Sequence, residues 1–89
     1  MTTPLPAGFG PDSLVKEGPE PKYAQLAAIL AARIDRGDFP QDKRLPTVAD
    51  LQADYGVSRG TAQRAVSVLA EHGRVRVSNG KGAWPVLRD

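Results

Sequence analysis

The sequence predicts a small, mainly α-helical α+β domain in which three helices are followed by a C-terminal two-stranded β-hairpin. Three observations predict this order. Apolar residues recur every three or four positions in three segments between residues 22 and 72, as on the buried side of an amphipathic helix. Each segment ends at a glycine, the residue often found just beyond the last helical turn. After Gly73 the apolar spacing changes to every second residue, the period of a β-strand.

The composition excludes several classes of protein. A chain of 89 residues is long enough for one small domain. It has no cysteine, and His72 has no second ligand beside it, so we predict neither a metal site nor a cofactor. Its acidic residues form no carboxylate pair or nucleophile–base arrangement, so no enzyme is predicted. No apolar segment reaches the length of a membrane span and no signal peptide is visible, so we expect a cytoplasmic protein.

The charge is unevenly distributed along the chain. Residues 1–20 carry a net charge of −2, residues 21–56 are neutral, and residues 57–89 carry +4. A basic C-terminal third is typical of a surface that binds a polyanion such as nucleic acid. An excess of this size also occurs on ordinary surfaces, so the charge supports a function only together with the motifs.

The first 20 residues are predicted to be a disordered tail, and residues 21–89 the folded domain. The tail contains four prolines and three glycines and has no sustained apolar period. Such a segment buries too little apolar surface to offset the entropy lost on ordering. The alternative is a docking peptide built on Phe9, Leu14 and Val15.

The first helix is predicted from about Lys22 to Arg36. Pro21 suits the first turn, where its missing N–H costs nothing, and Gly37 follows the last turn. The apolar side consists of Tyr23, Leu26, Ala27, Leu30 and Ile34. The many alanines of this helix favour close packing in the core, with a dimer contact as the alternative.

A turn-rich connector spans residues 37–46. Phe39 and Leu45 are its apolar residues and are predicted to reach the core. Lys43 and Arg44 lie just before the next helix, where they either contact a phosphate or remain solvated.

Thr47 is predicted to cap a short second helix, with Asp50 in the capping-box position and Gly56 after the last turn. The buried side of this helix consists of Val48, Leu51 and Tyr55. Only Val57 and Ser58 separate Gly56 from the next helix. Two helices joined by such a short glycine-containing turn are typical of a helix-turn-helix.

Ser58 is predicted to cap the third helix, which runs to about residue 72 before Gly73. Its apolar side consists of Ala62, Ala65, Val66 and Leu69, and its opposite side of Gly60, Gln63, Arg64 and Ser67. The second helix of a helix-turn-helix enters the major groove of DNA, and these polar residues suit base edges and phosphates. The alternative is an ordinary amphipathic helix whose polar side meets only water.

The remaining residues are predicted to form the hairpin. Arg74 to Ser78 alternate, which places Val75 and Val77 on one face and the arginines on the other. Residues 79–82 form a glycine-rich loop, and residues 83–87 return as the second strand. Trp84 is predicted to cover the helices, with stacking on a base as the alternative. Three helices followed by a basic hairpin describe a three-helix winged helix-turn-helix with a C-terminal two-stranded wing.

Motifs between residues 23 and 86 resemble the DNA-binding domain of the GntR family of bacterial transcription regulators. The resemblance rests on Tyr23-x-Gln25-Leu26, on Arg44-Leu45-Pro46, on Val57-Ser58-Arg59-Gly60-Thr61 and on Gly80-Lys81-Gly82. It implies a regulator, expected to be a repressor, that binds a palindromic operator in double-stranded DNA as a dimer. It also implies that Arg59 and Thr61 contact DNA, and that the wing glycines and Lys81 approach the minor groove.

Two departures from the family pattern change the expectations. Gln63 stands where many members have an arginine, and glutamine favours adenine whereas arginine favours guanine. Ala49 stands where many members have another arginine. Members normally continue into a C-terminal domain that binds a small molecule and dimerises. The chain is therefore expected to be either a separate DNA-binding domain or a fragment, and by itself monomeric or a weak homodimer that pairs on DNA.

These observations define the predicted site. The recognition helix, about residues 59–72, is predicted to lie in the major groove of DNA. The wing, about residues 74–87, is predicted to lie near the minor groove. The predicted DNA-binding residues are Arg44, Thr47, Ser58, Arg59, Gly60, Thr61, Gln63, Arg64, Arg76, Gly80, Lys81 and Gly82. The rival function is a winged-helix module for protein–protein interaction, in which the same polar face binds a protein partner.

Overall fold

Three helices and one antiparallel hairpin form the domain, as the sequence predicts. The computed structural model describes residues 4–40, 42–78 and 82–86. The helices are α1 (Lys22–Arg36), α2 (Val48–Tyr55) and α3 (Arg59–Glu71), and the strands are β1 (Val75–Ser78) and β2 (Gly82–Pro85). The helix bounds agree with the predicted ones because local capping residues set them.

The starts of α2 and α3 and the ends of α1 and α2 have the caps that the sequence predicts, whereas Pro21 precedes the first turn of α1 without a side-chain cap and α3 ends with His72 as its C-cap, just before Gly73. The Thr47 hydroxyl accepts from the backbone N–H of Asp50, and the Asp50 carboxylate accepts from the N–H of Thr47, so the capping box is complete. Ser58 caps α3 through the N–H of Thr61. Gly37 and Gly56 end α1 and α2 in the left-handed conformation, with φ of 89° and 65°. This conformation strains residues that have a Cβ.

The core lies mainly between α1 and α3. Its buried side chains are Leu26, Ala27, Leu30, Ala31, Ile34, Phe39, Leu45, Leu51, Val57, Ala62, Ala65, Val68, Leu69 and Val75. Phe39 and Leu45 reach the core as predicted. The buried side of α3 differs in one detail: Val68 is buried, whereas Val66 is half-buried at the margin of the core.

The N-terminal segment differs from the predicted disordered tail. Within residues 4–20, Leu5 and Val15 pack against the core. The buried amide of Gln25 accepts a hydrogen bond from the N–H of Lys16 and donates to the carbonyls of Lys16 and Glu20. Composition does not reveal this arrangement, because the bonds that hold the segment come from a helix that follows it.

The same segment explains why α1 is buried on more than one side. Ile29 is fully buried and lies one helical turn beyond Gln25, on the side of α1 that the N-terminal segment approaches. Ala24 and Ala28 are buried as well. These alanines therefore pack within the chain, which agrees with the core-packing interpretation of α1.

The hairpin forms as predicted, but β2 begins at Gly82, which the sequence placed in the loop, and one side chain is placed differently. The register pairs Val75 with Pro85, Arg76 with Trp84 and Val77 with Ala83. Ala83 packs against the core, so Trp84, its neighbour in the strand, points to the opposite face with Arg76. The prediction that Trp84 covers the helices is therefore wrong.

Val77 shares a face with Val75, as predicted, yet the two differ in burial. Val75 is 4% exposed and Val77 is 55% exposed. Of the two valines, only Val75, at the start of β1, belongs to the buried core. Alternation predicts the face of each side chain, and the length of the helical body decides how far burial extends.

Candidate nucleic-acid interface

The start of α3 carries a compact polar cluster. The Ser58 hydroxyl lies 3.1 Å from the N–H of Thr61 and 3.0 Å from the Thr61 hydroxyl oxygen. Ser58, Arg59 and Gly60 are exposed, whereas Thr61 is half-buried. The first turn of α3 therefore presents a helix N-terminus, a guanidinium and a glycine on one surface. A helix N-terminus favours negatively charged groups because its N–H groups have no partner in the helix.

The exposed side of α3 continues with short or uncharged side chains. Gly60, Gln63 and Ser67 are all exposed. At about 100° per residue they lie on one side of the helix, opposite the buried Ala62 and Leu69. No heavy atom lies within 4 Å of the position that a Cβ would take at Gly60. The fold therefore leaves open space in front of this glycine.

Six of the eight arginines divide into two groups by their partners. Arg33, Arg36 and Arg74 donate to carboxylates or carbonyls of the chain. Arg59, Arg64 and Arg76 have no hydrogen-bond acceptor within residues 4–40, 42–78 and 82–86. All three of these belong to the predicted site, so these three positive charges are not neutralised by acceptors in that part of the chain.

The first group connects the end of α1 to its neighbours. Arg36 donates to Asp38 and Asp12, and Arg33 donates to Asp38 and to the Tyr55 hydroxyl. Hydrogen bonds from Arg36 and then Arg33 lower the pKa of Asp38 from its ordinary 3.8 to about 2. Burial acts to lower the pKa of Arg33, but its bonds to Asp38 and Tyr55 outweigh burial and raise that pKa. These arginines stabilise the fold.

Arg74 belongs to the same structural group. It donates to the Ala31 carbonyl and to the Asp35 carboxylate, so it connects the start of the wing to α1. Its side chain is 12% exposed, and its Nε has no hydrogen-bond partner among the described residues. Although Arg74 belongs to the basic C-terminal third, its side chain therefore serves the packing of the wing against α1.

Arg64 has a different neighbour. Its guanidinium carbon lies 4.1 Å from the centroid of the Tyr23 ring on α1. This distance is within the range of a cation–π contact. Arg64 is thus held over an aromatic ring of the neighbouring helix, whereas Arg59 and Gln63 have no such contact among the described residues.

The connector before α2 is joined to the wing. The N–H of Leu45 donates to the Ala83 carbonyl over 2.7 Å. A Cβ at Gly82 would lie 3.2 Å from the Arg44 Cδ, and the φ of Gly82 is 112°. The positive φ favours glycine here, and a Cβ would also require the Arg44 side chain to shift slightly. The structure thus brings together three predicted site residues, Arg44, Gly82 and the α2 cap Thr47.

These residues border a groove of about 210 Å³ between the connector, α3 and the wing. Its walls consist of Arg44, Leu45, Pro46, Thr47, Val48, Val66, Val77, Gly82 and Ala83. Arg76 lies elsewhere, on the opposite face of the wing, where it borders a shallow depression with Ser78 and Trp84. Gly80 and Lys81, at the predicted wing tip, lie outside the described residues.

Tyr23 and Arg74 arrange this surface through contacts that the sequence does not predict. The spacing of apolar residues predicts Tyr23 on the core side of α1, whereas its contact with Arg64 joins residues far apart in the chain. Arg74 differs from Arg76 by its Asp35 partner on α1, which alternation along the strand does not predict.

Within the described ranges, no group of His, Cys, Asp or Glu side chains is arranged to hold a metal ion. None of the helices described is long and apolar enough to cross a membrane.

The fold and the polar surface of α3 define the class of protein, a winged helix-turn-helix. The model of the family "Bacterial regulatory proteins, gntR family" matches residues 22–84. The chain belongs to the GntR family.

Individual relatives agree with this assignment. The histidine utilization repressor of Pseudomonas putida is 34% identical over 68 residues, which are 76% of this chain and 27% of the repressor. The chain thus spans about a quarter of the length of such curated relatives.

Solved structures show the same fold. The crystal structure of AraR(DBD) in complex with operator ORX1 has a TM-score of 0.76 and 29% identity, covering 83% of this chain and 95% of that one. YtrA from Sulfolobus acidocaldarius, a GntR-family transcription factor, has a TM-score of 0.69 and 26% identity, covering 86% and 83% respectively.

Proposed function

We propose that this domain binds a specific sequence of double-stranded DNA through α3 and acts as the DNA-binding part of a transcriptional repressor. One observation carries the proposal: the exposed side of α3 has arginines without acceptors in the described chain, beside two capped helix N-termini and a basic hairpin. The histidine utilization repressor and the operator-bound AraR(DBD) support it by similarity. Such a protein acts in the cytoplasm, where bacterial DNA is located.

Base reading is assigned to the first two turns of α3. Arg59 suits guanine, whose O6 and N7 accept two parallel hydrogen bonds, and Gln63 suits adenine. Thr61 contributes through its methyl group or its hydroxyl. Gly60 has no side chain and so permits α3 to approach the floor of the groove.

Phosphate contacts are assigned to the residues around this helix. The N-termini of α2 and α3, capped by Thr47 and Ser58, offer backbone N–H groups to phosphates. Arg44 and Arg64 flank them. The wing contributes Arg76, Gly80, Lys81 and Gly82 towards the backbone or the minor groove.

A single module of this kind buries about 600–1,000 Å² on DNA, which limits its affinity. We therefore propose a palindromic operator that binds two copies of the domain. The half-sites would lie roughly one helical turn apart, as is usual for helix-turn-helix dimers.

Selection from a pool of random duplexes tests this function. A sequence with two inverted half-sites should be enriched, and its affinity should fall steeply as salt rises, because binding releases counterions from phosphates. Recovery of no common sequence would contradict specific reading. Specific reading would also be contradicted if the chain bound heparin and random duplex equally and the selected sequence displaced neither of them.

Arg59→Ala tests the reading helix directly. If Arg59 binds guanine, the variant should lose ~1–3 kcal/mol of operator affinity and tolerate a changed base at one position. Arg36→Ala is the matched control, since it also removes one guanidinium but lies at the far end of α1, paired with Asp38. Equal titration curves for both variants would exclude a special role for Arg59.

A further inference from the structure

The contact between Arg64 and Tyr23 joins α3 to α1 at the edge of the proposed DNA surface. The guanidinium carbon lies 4.1 Å from the centre of the ring. Tyr23 is half-buried and packs against the core, so the position of its ring is fixed by the fold. The ring therefore restricts a side chain that is otherwise exposed and has several rotatable bonds.

Comparison with a second stacked arginine shows what is special about Arg64. Arg33 lies 4.6 Å from the Phe39 ring, and its guanidinium also donates to Asp38 and Tyr55. Arg64 has no hydrogen-bond acceptor among the described residues. The stacking of Arg33 completes a structural network, whereas Arg64 is oriented while its N–H donors remain available to a ligand.

The position of Arg64 on α3 indicates which ligand group it meets. It follows Gln63 by one residue, so it lies about 100° further around the helix, towards α1. A helix in the major groove faces base edges with its central side and the phosphate backbone with its flanks. A guanidinium on the flank suits a phosphate, which accepts two parallel N–H bonds.

We infer that Tyr23 is a positioning residue that holds Arg64 ready for a DNA phosphate; this inference rests on the proposed DNA binding. A stacked guanidinium has already lost part of its rotamer freedom before DNA arrives. Less ordering is then needed when the phosphate binds, and affinity rises. The hydroxyl of Tyr23 has no part in this role, which belongs to the face of the ring.

Four variants test the inference: Tyr23→Phe, Tyr23→Leu, Arg64→Ala and the double variant Tyr23→Leu/Arg64→Ala. Affinity is measured over a range of salt, on the selected operator and on an unrelated duplex. Tyr23→Phe should bind like the wild type. Tyr23→Leu should lose about two- to fivefold in affinity on both duplexes, the range of an exposed cation–π contact. Arg64→Ala should lower the salt slope by about one.

The double variant separates positioning from general stability. It should bind no more weakly than Arg64→Ala, because the ring acts only through the arginine. Unfolding curves are recorded for each protein, and the Arg64 Nε–H proton shift is recorded for the wild type and the two Tyr23 single variants. The ring should move this proton to lower frequency in the wild type and in Tyr23→Phe, but not in Tyr23→Leu.

Three results would overturn the inference. These are losses that add in the double variant, a loss in Tyr23→Phe equal to that in Tyr23→Leu, or an effect of Arg64→Ala confined to the operator. In each of them the wild type still selects and binds its operator. Failure of the proposed function gives a different result, since the wild-type chain then enriches no common sequence from the pool of random duplexes.

Discussion

Asp38 shows how one residue can organise the end of a helix. It follows the left-handed Gly37, and its carboxylate accepts from both Arg33 and Arg36. These bonds favour the ionised form and lower its pKa to about 2. The group contributes stability that is fully present above its ordinary pKa near 3.8 and is lost as the pH falls towards 2.

Asp38→Asn should therefore be less stable than the wild type at pH 5–7. The difference should shrink between about pH 4 and pH 2, where the wild-type carboxylate takes up its proton. Urea unfolding at a series of pH values measures this. Asp54→Asn is the control, because Asp54 is exposed on α2 and makes no ion pair within the described residues. A difference that grew at low pH would contradict the assigned bonds.

Gly60 is a position where a substitution should affect the proposed DNA binding without destabilising the fold. Its backbone has ordinary helical geometry, and no heavy atom lies within 4 Å of a Cβ built there. Gly60→Ala should leave the free energy of unfolding unchanged or raise it by up to ~1 kcal/mol, because alanine favours helix. Operator affinity should nevertheless fall by ~1–3 kcal/mol, the cost of an extra methyl group in a close contact.

Gly18→Ala is the matched control for this prediction. Gly18 is exposed in the N-terminal segment, and a Cβ there also meets no atom within 4 Å. It should change neither stability nor DNA affinity appreciably. Full operator affinity of Gly60→Ala would show that α3 does not approach DNA closely at this point.

The N-terminal segment and α1 act together at the scale of elements. Gln25 is 1% exposed, and its amide satisfies backbone groups of residues nine and five positions away. One helical turn further along α1, Ile29 is fully buried. The segment therefore completes the burial of α1 and is part of the folded body.

Gln25→Ala should lower the free energy of unfolding by ~1–3 kcal/mol, because buried backbone groups of the segment lose their partners. The Lys16 N–H, which bonds to Gln25 over 3.0 Å, should exchange with solvent much faster in the variant. Gln52→Ala on α2 is the control, since Gln52 is only half-buried. Unchanged exchange at Lys16 would show that Gln25 does not hold the segment.

At the scale of the whole molecule, the proposed operator requires two copies of a small domain. A chain of 9.5 kDa presents one α3, and one α3 reads only one half-site. The dimer contact is expected to be weak in solution and to be strengthened when both copies are bound to the same duplex.

Sedimentation should give a mass near 9.5 kDa for the free chain at micromolar concentration and two chains per selected duplex. Inserting about five base pairs between the half-sites should abolish cooperative binding, because the second site turns to the opposite side of the DNA. Inserting about ten should restore part of it. Cooperativity independent of spacing, or a single chain per duplex, would contradict pairing on DNA.

The sequence by itself determined the order and the ends of the helices. The caps at Thr47 and Ser58 and the stop at Gly37 depend on groups three to five residues apart, so local sequence is sufficient to predict them. The family motifs were also readable in advance, and the family model confirms them over residues 22–84. The DNA contacts assigned to the site remain predictions.

Only the tertiary structure decided which residues cover which surfaces. The N-terminal segment has the composition of a disordered tail, but α1 offers it a buried glutamine and an apolar side. Trp84 has a large apolar side chain that suits a core, but the hairpin register places it opposite Arg76. The stack of Arg64 on Tyr23 joins two helices that are distant in sequence. Such contacts depend on how the elements pack, and no local pattern contains that information.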